Sequence, residues 1–182
     1  MTDSAEWTDV RPGRPADLPA VLALLDDAVG WLTSHGRSGQ WGTSPLSASP
    51  RVRALISRVA ACGGLHLAVQ HTRVVGALGF GSPPTYADPA REPELYIMLL
   101  VTDRELAGQG IGARLLAHAQ ATAARAGRAL LRVDCYAGGD GALVRYYESQ
   151  GFVPTQRFAM AQPSGDPWRG QVLSRRIPLG KG

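Results

Sequence analysis

The chain has 182 residues, 45% of them apolar and 19% charged, which is enough apolar surface for the core of one ordinary domain and excludes intrinsic disorder for most of the length. The net charge of +4 rests on 18 arginines and the single Lys181 against 15 acidic residues; the arginines are scattered, without the basic run or stripe of a nucleic-acid binder. No apolar run approaches the ~20 residues of a membrane span, and the start MTDSAEWTDV lacks the basic and apolar regions of a signal peptide, so a cytoplasmic protein with no membrane contact is expected.

A short strand is expected around Val10. The segment PADLPAVLALLDDAVGWL then places Leu18, Val21, Leu22, Leu25, Ala28, Val29 and Leu32 at three- and four-residue intervals, the period of an amphipathic helix. A second helix over 50–62 starts at Pro50, carries Val52, Leu55, Ile56 and Val59, and stops at Gly63-Gly64, in keeping with proline at a helix start and glycine past its end. The period then shortens, and 65–70 with 74–81 read as a β-hairpin turning at His71-Thr72-Arg73. ELYIMLLV (94–101) is nearly continuous apolar sequence, as in a central strand buried on both faces.

A glycine-punctuated turn follows. Beyond it, Ile111, Leu115, Ala119, Ala123 and Ala126 fall on one side of a helix and Arg114 and Arg125 on the other. ALLRVDCY (129–136) is the next strand, a short helix near 140–150 ends at Gly151, and FVPTQRFAM and QVLSRRI are the last strands. The order β-α-α-β-β-β-α-β-α-β-β predicts one α/β domain over 1–182, built on a mixed sheet with a parallel crossover from 94–101 to 129–136. Loops are expected at 34–50, 81–93 and 162–170, where Gly, Ser and Pro accumulate.

Cys62 and Cys135 have neither CxxC nor Cys/His spacing, against a disulfide framework or a structural zinc, and both thiols are expected to be buried and reduced. His35, His66, His71 and His118 share no metal-ligand spacing, so no metal is assigned. The strongest local signal is Ala107-Gly108-Gln109-Gly110-Ile111-Gly112 between a buried strand and an amphipathic helix. A helix start offers unpaired N–H groups and a positive dipole end, and glycine lets the backbone close on a phosphate. The dinucleotide and triphosphate loops, GxGxxG with a downstream acid and GxxxxGK[ST], are absent. Asp134 faces away from Leu131, Val133 and Cys135 on its strand, where it either contacts an acceptor or pairs with an arginine.

With Glu94 lying 14 residues before Gly108, and Tyr147-Glu148-Ser149-Gln150-Gly151-Phe152 after the next strand and helix, the chain resembles the GNAT superfamily of acyl-coenzyme A-dependent acyltransferases. That family carries R/Q-x-x-G-x-G/A and Y-x-x-x-G-F, and Gly110 and Gly112 fill the glycine positions. Ala107 stands where the family has Arg or Gln. The resemblance implies a GNAT-like, mostly antiparallel sheet of about six to seven strands with helices on both faces. It also implies an acyl donor, most simply acetyl-CoA, held by Ala107, Gly108, Gln109, Gly110, Ile111, Gly112, Ala113 and Asp140 and by backbone around Leu99, Leu100 and Val101.

On that resemblance the chain is an N-acetyltransferase acting on a primary amine of a small molecule. Glu94 is the candidate general base and Tyr147 the general acid to the departing thiolate, chosen over Tyr146 by its spacing to Gly151-Phe152. Trp31, Trp41 and Asp134 are candidate acceptor contacts. A carrier-protein thioester or an aminoacyl-tRNA as donor, a non-catalytic CoA-binding module, and a homodimer stay open.

Overall fold

The computed structural model describes residues 10–162 and 165–180; most of the N-terminal segment weighed above as a signal peptide, residues 163–164 of the last expected loop, and Lys181 lie outside them. Each expected element is present: β1 (Arg11–Pro12), α1 (Leu18–Ser34), α2 (Pro50–Ala61), β2 (Leu65–Gln70), β3 (Arg73–Gly81), β4 (Glu94–Thr102), α3 (Ile111–Arg125), β5 (Leu130–Tyr136), α4 (Ala142–Ser149), β6 (Val153–Met160) and β7 (Trp168–Arg176). Short 3-10 turns at Pro15–Asp17, Leu46–Ala48 and Arg104–Leu106 join them.

Local chemistry accounts for the boundaries. Pro50 opens α2 and the Ser49 hydroxyl accepts the Val52 amide at 3.3 Å, satisfying one of the amides a helix start leaves unpaired. The hairpin turn is two residues, His71-Thr72, with His71 at φ 55°. In α1 the residues at helical spacing, Val21, Leu22, Leu25, Ala28, Val29 and Leu32, are all buried, together with Leu24.

The seven strands lie in the order β1-β2-β3-β4-β5-β7-β6. All neighbours are antiparallel except β4 and β5, which run parallel from Glu94↔Leu130 to Ile97↔Val133. Each face carries its own apolar cluster. One joins Ile111, Leu115, Leu116, Ala119 and Ala123 of α3 to Leu131, Val133 and Cys135 of β5; the other joins α1 and α2 to Leu65, Leu67, Ala77 and Val101.

Three expectations need correction. Ala126 is exposed, because α3 ends at Arg125 and Ala126 is its C-cap; Leu116 takes the buried place. Cys62 is exposed at the C-cap of α2, whereas Cys135 is buried, and neither forms a disulfide. The strand β4 is not buried throughout: Tyr96, Ile97 and Val101 are, but Met98, Leu99 and Leu100 are only half-buried. The reason is that β5 leaves β4 after Ile97 while β3 stays paired with it through Thr102.

Candidate active site

The parting of β4 and β5 opens a cleft of about 850 Å³, within the size range of sites for small molecules and cofactors. A bulge in β4 lies where the two strands part. In β3–β4 pairing, Gly79 lies opposite Leu99 and Phe80 opposite Ile97, so Met98 is a bulge; a bulge bends a strand and increases its twist. Past it, Leu100 and Val101 line the cleft, while Leu99 packs into the cluster under α1 and α2. Backbone on the β5 side of this segment has no strand partner there.

The glycine turn forms one end. Ala107, Gly108, Gly110, Ile111, Gly112 and Ala113 all line the cleft; Gln109 is exposed and turns away. Gly110 is the N-cap at φ 77°, and its carbonyl accepts the Arg114 amide at 3.0 Å. The amides of Ile111, Gly112 and Ala113 come before that first intrahelical bond and carry the positive end of the α3 dipole. Gly112 is needed for space, since a Cβ there would collide with the Tyr146 hydroxyl. Asp140 accepts the amide of Ala142, the first residue of α4, at 3.0 Å from just before the Gly141 N-cap, and meets Arg37 of the loop after α1 at 3.4 Å. The Ala142 amide, with Arg37 and Arg145 nearby, holds its carboxyl below the usual range.

Tyr147 is 4% exposed and lines the cleft, with its ring edge-to-face on Phe152 at 5.7 Å. Burial raises its phenol well above the ordinary value, so it stays protonated and can donate. Tyr146 lines the cleft as well, but at Gly112, toward the helix start. Cys135 beneath them is pushed up to about 12 by burial and by Asp134, which leaves it a thiol and a poor nucleophile.

Trp31 and Trp41 line the opposite wall, Trp31 stacked on His35 at 4.1 Å. Sequence reasoning missed the partner of Trp31, Arg104. Its guanidinium lies 4.0 Å over the Trp31 ring and lines the cleft beside Ala107. Its Nε is buried without a partner among the described residues, and burial, then Arg37, lowers its pKa. Nothing in the stretch TDREL marks this arginine; it reaches the cleft because the 3-10 turn carries it over α1.

The structure does not bring Glu94 to the cleft. It sits at the closed end of the β4–β5 pairing, 12% exposed, with its carboxylate 3.2 Å from Arg132 Nη1. Asp134 lies one residue past the last β4–β5 pair, outside the cleft lining but two residues from Tyr136, which lines it, and it accepts hydrogen bonds from Tyr96 Oη at 2.7 Å and Tyr86 Oη at 3.0 Å. Burial raises its carboxyl against the opposing pull of those two hydroxyls. Among the described residues no three His, Cys, Asp or Glu side chains converge as metal ligands, and no helix is long and apolar enough to cross a membrane.

Comparison with known proteins agrees with this architecture. A profile of the Acetyltransferase (GNAT) family matches residues 21–152. Among solved structures, the chain is similar to a ribosomal-protein-alanine N-acetyltransferase of Brucella melitensis, with TM-score 0.69 and 23% identity over 93% of this chain and 100% of that one. It is also similar to yncA of Salmonella typhimurium, solved with its cofactor acetyl-CoA, with TM-score 0.70 and 18% identity over 97% of each chain. A polyamine N-acetyltransferase of Drosophila melanogaster gives TM-score 0.69 and 16% identity over 92% of this chain and 99% of that one. Comparison with curated proteins gave no match. With the family profile covering most of the chain, and the β4–β5 splay facing a glycine-opened helix, the chain belongs to the GNAT acetyltransferase family and is an N-acetyltransferase domain.

Proposed function

We propose that the chain transfers the acetyl group of acetyl-CoA to the primary amine of a small molecule by direct attack. The observation that carries this is the continuity of the cleft, which runs from the free amides of α3 along the unpaired edge of β4 to Tyr147. The α3 amides suit a pyrophosphate. Arg104 supplies the cation that Ala107 cannot, from a neighbouring position on the same turn. Backbone N–H groups near Leu100 and Val101 suit the thioester carbonyl and the oxyanion that forms on it. In the transfer the amine lone pair forms the C–N bond, the C–S bond breaks with its electron pair on sulfur, the sulfur takes the Tyr147 proton, and the proton that nitrogen sheds on becoming an amide restores the phenol.

The test is thermal unfolding with acetyl-CoA, using ATP and NAD as controls. A ligand at one hundred times its Kd adds about 2.7 kcal/mol, so a midpoint rise with acetyl-CoA alone is the expected result. Arg104→Ala should weaken that binding by about tenfold or more, the usual loss for a hydrogen bond to a charged group. No rise with any CoA derivative overturns acetyl-CoA as donor and brings forward a carrier-protein thioester or an aminoacyl-tRNA. A rise with no thiol release for any amine supports a non-catalytic CoA-binding module.

A further inference from the structure

The helices α1 and α2 pack on β2, β3 and β4, and beyond β4 the same sheet face carries an aromatic surface. Phe158 of β6 lies over Gly170 of β7. Tyr86, from the loop before β4, stacks on Phe158 at 4.2 Å and 19°; Trp168 is 5.8 Å from Phe158, and Tyr136 is 5.6 Å from Trp168. Trp168 Nε1 donates to the Gln40 carbonyl at 2.9 Å, which fixes the loop after α1 above this surface. All four rings are half-buried: Tyr86 and Phe158 pack against the cluster of Ala87, Tyr96 and Val172, and each ring keeps some area in solvent.

Asp134 is set into this surface, on the same face of β5 as Tyr136 and two residues from it. Tyr136 lines the donor cleft, so the aromatic surface is continuous with the place where the thioester would lie. The groups facing Asp134 are few: Arg132 on its own strand, Tyr96 from β4, Tyr86 from the loop and, toward Tyr86, Arg51 of α2. Arg132 is already engaged by Glu94 at 3.2 Å and by the Asp88 carbonyl at 3.0 Å. The two contacts that Asp134 makes are to tyrosine hydroxyls, which orient a carboxylate without neutralising it. A negative charge among ring faces suits a cation and repels a carboxylate.

We infer that Asp134, held by Tyr86 and Tyr96 beside the Phe158–Trp168–Tyr136 rings, receives the acceptor as a cationic amine without a neighbouring carboxylate and takes its proton. This rests on the acetyl-transfer reading and names the acceptor class for it. The ammonium gives one proton to Asp134, which passes it to solvent. The freed lone pair attacks the thioester carbon, sulfur leaves with the Tyr147 proton, and Tyr147 is restored by the second proton that nitrogen sheds on becoming an amide. The products are the N-acetyl amide, free CoA thiol and one proton. Glu94 serves as a positioning residue that keeps Arg132 off Asp134.

The experiment titrates the full chain, without acetyl-CoA, with benzyltrimethylammonium, a cation that cannot be acetylated, and with 2-phenylethanol as a neutral control. The expected result is that the cation binds at least about tenfold more tightly than the alcohol, the factor that a partly desolvated cation–π contact beside a negative charge supplies without any hydrogen bond. Asp134→Asn should abolish the preference while keeping the melting shift with acetyl-CoA. Tyr86→Phe, which leaves the carboxylate in place, should weaken it partly. With phenethylamine as acceptor, kcat/KM should show an acid limb above the ordinary aspartate range that disappears in Asp134→Asn. Equal binding of alcohol and cation, or an unchanged preference in Asp134→Asn, overturns the inference. Because binding is read without donor, failure of acetyl-CoA to bind is a separate result.

Discussion

At the scale of single residues, the cleft separates two tyrosines that are neighbours in sequence. Adjacent helical residues point about 100° apart; Tyr147 turns toward Phe152 and Cys135, and Tyr146 turns toward Gly112. If Tyr147 protonates the leaving thiolate, Tyr147→Phe should lower kcat by about 100-fold or more, the usual worth of a positioned acid, with the Kd for acetyl-CoA nearly unchanged. Tyr146→Phe should leave kcat within a few fold. Steady-state kinetics on the two variants, with donor affinity from calorimetry, checks this. Glu94 is a sequence candidate that the structure leaves outside the cleft lining. Its distance from the glycine turn was readable, but spacing along a strand does not say which end of that strand a cleft opens on. Across β4 and β5 the Glu94 carboxylate pairs with Arg132.

Among the elements, the turn into α3 illustrates how two glycines meet different demands. Gly110 sits at positive φ with nothing within 4 Å of a Cβ, whereas Gly112 has ordinary φ and a Cβ there would strike Tyr146. Gly110→Ala should therefore cost about 1–2 kcal/mol of backbone strain, whatever its neighbours are. Gly112→Ala should be relieved by Tyr146→Phe, and Gly110→Ala should not. Urea midpoints of the three single and two double variants measure this. That the turn precedes a helix was legible from the apolar period after it, and its glycines were visible as a motif. The hydroxyl against Gly112 was not, because it arrives from α4, more than thirty residues later.

For the molecule as a whole, the junction of sheet and α3 contains a polar pair inside an otherwise apolar layer. His118 Nε2 and His66 Nδ1 are 3.0 Å apart, and His66 lies edge-on to Phe80 at 5.3 Å. Burial, then His118 and Arg125, lowers His66 to about 4; burial and Arg125 lower His118. The unfolded chain protonates its histidines near 6.5, before the folded one does, so the unfolded state binds more protons in between. Stability from this pair is complete above about pH 6.5 and declines as pH falls toward 4. Urea unfolding between pH 7 and 4.5 should show that decline, and His66→Gln should flatten it. Both rings are half-buried, so solvent screening keeps the effect small relative to global stability.

By itself the sequence determined the elements, their order, the parallel crossover and the glycine turn, because hydrophobic period, proline, glycine and loop length act between near neighbours on the chain. The family resemblance, rather than local pattern, pointed to Trp31, Trp41 and Tyr147, and all three line the cleft. The tertiary structure alone decided that Met98 bulges where β4 and β5 part, that Arg104 crosses to Trp31, and that Asp134 is held by Tyr86 and Tyr96 while Glu94 pairs with Arg132. Those outcomes depend on strand register and on contacts between residues tens of positions apart, and the energy of such contacts is written in no local pattern.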